Sequence, residues 1–293
     1  CEVSYHYSAT LWHYLLQNQS KGERVDWKED FVGFAPVYET EARSENGLNV
    51  SLENLNQAAK VVGQWATRSE ALRSDGSWIP LLHSKVEAEG IAALFEEKGL
   101  STQIFLHKAA TKERFREVVE SSRFLLVATH GVVNDEQPKL SGLVFYPDGK
   151  QEVGSEKRDT DIVSDTLAPT SRFLLPTSNT EDCILSMEET YHLNLNADLV
   201  VLSSCESGIG ELAEGEGMMA VNRGFLYAGA KNVVSTLFKV YDKPSSLLTQ
   251  YLFEGVLEGM DYTSALRRAK LRLLKMEEVD VKSWCGFVLI GGG

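Results

Sequence analysis

The fold of this chain is decided by a short aliphatic run that ends in a small polar turn, Leu199-Val200-Val201-Leu202-Ser203-Ser204-Cys205-Glu206-Ser207-Gly208. Such an uninterrupted apolar run is typical of a strand buried on both faces of a parallel sheet. A second segment has the same form, Phe124-Leu125-Leu126-Val127-Ala128-Thr129-His130-Gly131. Ligands and catalytic groups of open α/β sheets gather just beyond the carboxyl ends of the strands. The two segments therefore predict that a cysteine and a histidine reach the same edge of one sheet.

Apolar runs alternate with stretches of helical periodicity along the rest of the chain. This order predicts an α/β fold of three layers, with a mainly parallel central sheet flanked by helices. Strands are expected at residues 31–38, 102–107, 123–129, 143–145, 198–203, 232–238 and 284–290. Helices are expected near 52–72 and at 86–98, 112–119, 188–193, 218–227, 244–257 and 262–276, with Thr111 as an N-cap and with Gly99 and Gly229 ending two of them.

The chain is expected to divide into two unequal parts. Residues 1–30 have the spacing of an amphipathic helix and are expected to form an N-terminal helical segment, at the edge of an upstream region. Residues 31–293 are expected to form the main domain. Within it, the polar residues at about 149–182 predict a long loop, and loops of that length are usually functional or disordered.

Composition restricts the class of protein. The chain has 293 residues, 43% of them hydrophobic and 24% charged, which is ordinary for a soluble globular protein. Its formal net charge of -13 opposes direct binding to nucleic acid. We find no stretch of the roughly 20 apolar residues that a membrane helix needs and no secretory signal, so no membrane association is expected. Four scattered cysteines without a Cys-x-x-Cys pair predict neither a metal site nor a disulfide framework, and favour a reducing, cytoplasmic location.

Cys205 and His130 are the candidate catalytic pair. Cysteine catalysis needs a thiolate, a neighbouring base and hydrogen-bond donors for the developing oxyanion. Cys205 would be the nucleophile, and His130 would take its proton and later protonate the leaving amine. The backbone N–H groups of Gly131 and Cys205 would form the oxyanion hole, and no metal or organic cofactor is needed. Taken singly, each side chain is more often structural, but two strand ends that carry complementary groups favour catalysis.

Three other interpretations stay open. The turn Gly208-Ile209-Gly210-Glu211-Leu212-Ala213 fits the dinucleotide fingerprint, although its acidic side chains oppose a pyrophosphate and it gives His130 no role. A catalytically silent interaction module is the second alternative. The third is a thiol enzyme that acts on small molecules.

Several motifs in consistent order resemble the CHAT domain (caspase HetF associated with TPRs), from about residue 30 to the C-terminus. They lie at residues 128–131, 141–143, 196–208, 215–217, 224–230, 265–269 and 284–291. The resemblance implies a caspase-like fold and a cysteine endopeptidase that cleaves a protein partner after a signal activates it. The family's catalytic histidine and cysteine match His130 and Cys205. Several members serve prokaryotic defence or regulated cell death, which is a possible role for this chain.

The resemblance also carries expectations about regulation and specificity. Members often adjoin TPR repeats or a sensor module, so an upstream region of that kind, or a separate regulatory protein, is an expected partner. The resemblance also implies a clan of caspase-like cysteine endopeptidases in which such loops are cleaved or gate the site, so one of these roles is expected for the loop at 149–182. Relatives that cleave after Arg or Lys often carry an acidic residue two positions before the nucleophile, where this chain has Ser203. Acidic side chains such as Glu206 and Glu211 follow the cysteine instead; they could attract a basic substrate residue, and a solvated acidic turn explains them equally well. Ser203, Glu206, Glu211 and Asp135 are the candidates for binding the substrate.

Overall fold

The computed structural model describes residues 27–38, 80–132, 134, 140–147, 183–203, 217–238, 240–276 and 279–291. Residues 1–26 of the expected N-terminal helical segment, the helical stretch near 52–72 and the loop at 149–182 lie outside the described residues. The last two residues of that segment, Glu29 and Asp30, begin β1 instead.

The described strands form two sheets. The larger contains β1 (Glu29–Ala35), β2 (Thr102–Leu106), β3 (Ser122–Val127), β7 (Leu199–Leu202), β8 (Asn232–Thr236) and β9 (Phe287–Gly291). Its spatial order is β2-β1-β3-β7-β8-β9, and every neighbouring pair is parallel except β8 with β9. The smaller sheet is antiparallel and contains β4 (Gly131–Val132), β5 (Gly142–Val144) and β6 (Ile184–Ser186). The predicted mainly parallel α/β sheet is confirmed.

Six α-helices lie among the described residues: α1 (Leu82–Glu97), α2 (Lys112–Val118), α3 (Met187–Thr190), α4 (Gly217–Tyr227), α5 (Asp242–Leu257) and α6 (Tyr262–Leu274). The Thr111 side chain caps α2 by accepting from Arg114 N at 3.2 Å, as predicted. Gly99 follows α1 with φ +72° and Gly229 follows α4 with φ +116°, where a side chain would be strained. No helix in the described part of the chain has the length and apolarity to cross a bilayer.

Side-chain alternation along the central strands produces the three layers. In β7, Leu199 and Val201 face one layer, while Val200 and Leu202 face the other. In β3, Leu126 and Val127 divide in the same way. The helices α1, α5 and α6 cover the first face of the sheet, and α2 and α4 cover the second. Because both faces are buried, these strands consist of continuous apolar runs, which is the pattern that made them recognisable.

Some element boundaries differ from the prediction. The strand expected to reach residue 38 ends at Ala35, because Val37 and Tyr38 have left-handed φ values of 62° and 58°. The last strand begins at Phe287 instead of 284, because a 3₁₀ helix at Val281–Ser283 and a turn precede it. The strands β4 and β6 were not predicted, since two or three residues are too few to show a period.

Candidate active site

The two strands that define the candidate site are direct neighbours. β3 and β7 pair in parallel, with Val127 opposite Leu202. His130 and Cys205 each follow these paired residues by three positions. Ser203 N donates to Val127 O at 3.0 Å, which extends the ladder one residue beyond β7. The sequence prediction that these strands end at a common edge is therefore confirmed. Cys205, Asp135, Glu206 and Glu211 lie outside the described residues, and the roles assigned to them stay predictions.

His130 lies in a tightly packed position beyond the end of β3. Its side chain is buried, with the residue 3% exposed, and its ring centroid is 5.0 Å from that of Tyr38, with 30° between the planes. The backbone is fixed as well, since Val144 N donates to His130 O at 2.9 Å. Both contacts restrict where the imidazole can point.

Tyr38 is a residue of the candidate site that the sequence analysis missed. Its hydroxyl lies 2.9 Å from Thr129 Oγ1 and donates to the carbonyl oxygen of Val144 at 2.5 Å. Thr129 also donates to that carbonyl. Burial raises the pKa of Tyr38 well above its ordinary value, so the hydroxyl keeps its proton. The only signal in the sequence was that Tyr38 is the last residue of a strand predicted at 31–38.

The backbone around Tyr38 is strained. A β-branched residue such as Val37 is rarely left-handed, and conformations of this kind cost about 1–3 kcal/mol each. The turn is held by Leu81 N, which donates to Val37 O at 2.8 Å, and by the burial of both side chains. Strain that a fold retains beside a candidate catalytic residue is a reason to look for function there.

Gly131 begins β4 directly after the histidine. It lies opposite Leu143, one position beyond the hydrogen bond from Val144 N to His130 O. Hydrogen-bonded and non-bonded pairs alternate in an antiparallel ladder, so the Gly131 N–H points away from β5. An N–H that β5 does not engage could donate a hydrogen bond to an oxyanion.

The Ser203 side chain contacts the buried carboxyl group of Glu87 on α1, a contact that was not predicted. Ser203 Oγ donates to Glu87 Oε2 at 3.1 Å, and Thr249 Oγ1 on α5 lies 2.7 Å from Glu87 Oε1. Burial raises the pKa of Glu87 to about 8, against the lowering effect of these two hydroxyls. A glutamate on the buried stripe of α1, beside Ala88 and Ile91, was the available signal in the sequence.

The ion pair of Lys112 with Glu189 anchors the small sheet, whose strand β5 hydrogen-bonds to the His130 backbone. The buried Lys112 on α2 donates to Ile184 O at 2.9 Å and pairs with Glu189 on α3 at 2.7 Å. Burial acts to raise the pKa of Glu189, but hydrogen bonds from Lys112 and Ser186 N and the charges of Lys112 and Arg116 hold it below its ordinary value. The carboxylate is therefore ionised at neutral pH.

Two further observations on the described part of the chain concern metal binding and an open cleft. The described residues contain no group of three or more side chains arranged to hold a metal ion. An open cleft of about 550 Å³, lined in part by Arg123, Phe124 and Tyr262, lies where β3 begins. That is the opposite edge of the sheet from His130, so the cleft is separate from the candidate site.

The layers, the sheet order and the paired strand ends define a three-layer α/β protein with a mainly parallel central sheet. The profile of the CHAT domain matches residues 28–292. This chain therefore belongs to the CHAT domain family.

Known proteins similar to this chain include long repeat proteins. Tetratricopeptide repeat protein 28 of Mus musculus is 27% identical over 225 residues, which are 73% of this chain and 9% of that protein. The Homo sapiens protein of the same name is also 27% identical over 225 residues, 73% of this chain and 8% of its own length. The chain thus spans less than a tenth of the length of these curated relatives.

Two solved structures align along nearly the whole chain. One is a chain of the Saccharomyces cerevisiae separase–securin complex, with a TM-score of 0.48 at 9% identity, covering 99% of this chain and 14% of that one. The other is the Arg-specific cysteine proteinase gingipain R, with a TM-score of 0.44 at 10% identity, covering 97% of this chain and 67% of that one.

Proposed function

We propose that this chain is a cysteine endopeptidase domain that cleaves a protein partner through Cys205 and His130. The observation that carries the proposal is the register of β3 and β7. Val127 lies opposite Leu202, and His130 and Cys205 follow these two residues by three positions each. Adjacent strands lie about 4.8 Å apart, so the segments that lead to these two residues leave the sheet at neighbouring points of one edge. Membership of the CHAT domain family supports the same assignment.

In the proposed reaction, the Cys205 thiolate attacks the scissile carbonyl carbon while His130 holds the thiol proton. The C–S bond forms as the carbonyl π electrons move to oxygen, where the N–H groups of Gly131 and Cys205 stabilise the negative charge. His130 then protonates the leaving amine as the C–N bond breaks. Water, deprotonated by His130, hydrolyses the acyl-enzyme and restores the thiol.

A catalytically silent interaction module is the second candidate function. The observation in its favour is the burial of His130, which is 3% exposed and packed against Tyr38. A histidine so enclosed is equally suited to a purely structural role. The endopeptidase proposal therefore requires that the imidazole reach Cys205 within this packing.

Matched substitutions separate the two functions. Cys205→Ala and His130→Ala are expected to reduce cleavage of a denatured proteome by at least about 10³-fold, since each removes a group that acts in the transition state. New N-termini identified by mass spectrometry are the measurement. Cys285→Ala, which removes a half-buried free thiol, and His192→Ala, which removes an exposed imidazole, serve as controls and should cleave as the wild type does.

Cleavage that survives Cys205→Ala would contradict the mechanism. A wild-type protein that neither cleaves nor reacts with iodoacetamide at Cys205 faster than at Cys285 would favour the interaction module.

Specificity and activation complete the proposal. The acidic residues Glu206, Glu211 and Asp135 favour a basic substrate residue before the cleaved bond. We propose that an upstream TPR or sensor region, or a separate regulatory protein, activates the domain, and that the loop at 149–182 gates the site or is cut. Fully active protein in which mass spectrometry finds residues 149–182 intact and protease-resistant would contradict the role of the loop. A defence role and a cytoplasmic location stay predictions.

A further inference from the structure

Glu87 is a buried acidic group that the proposed reaction does not use. It is 1% exposed and lies on α1 among residues that pack against the sheet, including Ala88 and Ile91. Its two carboxyl oxygens contact different elements: Oε2 accepts from Ser203 Oγ at 3.1 Å, and Oε1 lies 2.7 Å from Thr249 Oγ1 on α5. The carboxyl group thus joins two helices to the end of β7.

The alternation of β7 explains why Ser203 meets this group. Leu199 and Val201 face the layer of α1 and α5, whereas Val200 and Leu202 face the opposite layer. Ser203 is the next residue in the series and so faces α1 and α5. Its hydroxyl enters an apolar layer, and Glu87 is the acceptor that satisfies it there.

The surroundings of Glu87 favour the neutral acid. Among the described residues, no cation lies within ion-pair distance of its carboxyl oxygens. The titratable group that acts on it from α5 is Asp242, which has the same sign as an ionised Glu87 and itself accepts from His83 N on α1 at 2.8 Å. An unpaired buried carboxylate is costly, so the proton is retained.

The hydrogen bonds of Thr249 agree with a protonated Glu87. Thr249 Oγ1 lies 3.1 Å from Ser245 O and 3.0 Å from Ser246 O, one turn earlier in α5. A hydroxyl has one proton to donate. When Glu87 is ionised, Thr249 donates to Glu87 Oε1; when Glu87 is protonated, Oε1–H donates to Thr249, which donates to its own helix. Ser203 donates to Glu87 Oε2 in both states. The protonated arrangement thus gives each of the three side chains a partner.

We propose that Glu87 is a positioning residue that, as a neutral acid, ties α1 and α5 to Ser203 and so fixes the strand end that leads to Cys205. The inference rests on the proposed function for its catalytic consequence, because Cys205 matters only if it is the nucleophile. Ser203 is two residues before Cys205, so a displacement of Ser203 moves the nucleophile. Ionisation of Glu87 would place an unpaired charge beside Ser203 and loosen that end.

Three substitutions test the positioning role by kinetics. Glu87→Gln keeps a neutral donor and acceptor of the same shape, so kcat at pH 7 is expected to stay within about threefold of the wild type. Glu87→Leu keeps the volume but removes both hydrogen bonds, and kcat is expected to fall at least about tenfold with KM unchanged, since misplacement of a reacting group is costly. Glu89→Gln, on the exposed side of the same helix, is the matched control and should match the wild type.

The pH dependence gives a readout that packing alone would not change. The ratio of kcat for Glu87→Gln to kcat for the wild type is expected to rise at least threefold between pH 7 and pH 9, because only the wild type ionises at this position. Forming this ratio cancels the titration of Cys205 and His130, which both proteins share. A ratio that stays constant, or a Glu87→Leu variant with wild-type kcat, would overturn the inference.

Unfolding measurements keep the test independent of the proposed activity. The folded protein holds a proton on Glu87 between about pH 4.5 and 8 that the unfolded chain releases. The free energy of unfolding therefore falls as the pH rises through this window, and that loss is absent in Glu87→Gln. Iodoacetamide labelling of Cys205 should be at least about fivefold different in Glu87→Leu and within twofold of the wild type in Glu87→Gln.

These readouts separate the two possible failures. If the wild type cleaves no protein but melting and labelling behave as expected, the proposed function fails and the positioning role holds. If wild type and Glu87→Gln lose stability equally with rising pH, Glu87 is not the neutral acid and the inference fails.

Discussion

Tyr38 shows how one side chain can restrict another at a candidate catalytic centre. Its ring packs against the imidazole of His130, while its hydroxyl is tied to Val144 O, on the strand that also binds the His130 backbone. The ring and the backbone of His130 are thus held through the same residue of β5. This arrangement explains why a left-handed turn at residues 37–38 is retained despite its cost.

Removing the Tyr38 hydroxyl should loosen His130 without creating a cavity. In Tyr38→Phe, the ring contact persists but the hydrogen bonds to Val144 and Thr129 are lost. The free energy of unfolding is expected to fall by about 1–2 kcal/mol, and kcat by about threefold to tenfold with KM unchanged. Chemical denaturation and steady-state kinetics on an identified substrate are the measurements. Tyr227→Phe, at an exposed tyrosine, is the control, and an equal effect there would refute the role of Tyr38.

The residues recognised from sequence and those missed differ in a physical way. His130 follows an apolar run that indicates a buried strand, so its place at the sheet edge was predictable. Tyr38 and Glu87 act through contacts between residues far apart in the chain. Tyr38 also depends on a left-handed turn without glycine, which sequence patterns do not indicate. Glu87 interrupts the apolar stripe of α1, and only the position of Ser203 explains it.

The small sheet is held to the main body by ionic and hydrogen-bonded contacts as well as by packing. Lys112 on α2 contacts β6 through Ile184 O and α3 through Glu189. Glu189 also closes a capping box with Ser186, so the same carboxylate begins α3. β6 pairs with β5, and β5 hydrogen-bonds to the His130 backbone. This cluster therefore supports the part of the candidate site that contains His130.

Neutralising Glu189 should destabilise the protein in a pH-dependent way. Glu189→Gln leaves Lys112 buried beside an uncharged group, with an expected loss of about 3 kcal/mol at pH 7. The folded-state pKa of Glu189 is depressed, so its stabilisation is present above the ordinary carboxyl range and is lost as the pH falls through the folded value. The difference in unfolding free energy between wild type and variant should therefore shrink below about pH 4.

Urea unfolding at several pH values measures this difference. Glu117→Gln is the control, because its pair with Arg114 is exposed on α2 and should contribute less than about 1 kcal/mol. A deficit for Glu189→Gln that is constant from pH 3 to pH 7 would show that ionisation plays no part.

Element types were predictable where the chain is long and periodic. The six strands of the main sheet and the helices at 82–97, 242–257 and 262–274 were anticipated within a few residues. Of the antiparallel sheet only β5 was anticipated, because β4 and β6 are too short to show a pattern of their own and are held by their partners. Two of these three strands carry the contacts that fix Gly131 and His130.

Two aromatic clusters join the sheet to its covering helices. On one face, Phe31 stacks on Phe95 of α1 with ring centroids 5.1 Å apart. On the other, Phe34 meets Phe115 of α2 edge to face at 5.2 Å. Because Phe31 and Phe34 belong to the same strand, β1 couples the two layers.

Truncating either cluster should destabilise both layers together. Phe95→Ala and Phe115→Ala are each expected to lower the free energy of unfolding by about 3–5 kcal/mol. Hydrogen exchange should rise in α2 as well as in α1 for Phe95→Ala, since the shared sheet transmits the loss. Val86→Ala, at an exposed position of α1, should change stability by less than about 0.5 kcal/mol. Exchange confined to one layer would contradict this coupling.

The pairing of β3 with β7 also determines when the proposed site comes into existence during synthesis. Residues 128–198 separate the two strands, and β1 precedes β3 by a comparable length of chain. Contacts between such distant segments form late, after the entropy of closing long loops has been overcome. A nascent chain that has emerged from the ribosome only as far as β6 already carries His130, Tyr38 and Glu87, yet none of the partners that β7 supplies. A catalytic site built on this pair of strands would therefore stay incomplete until β7 and Cys205 have been made.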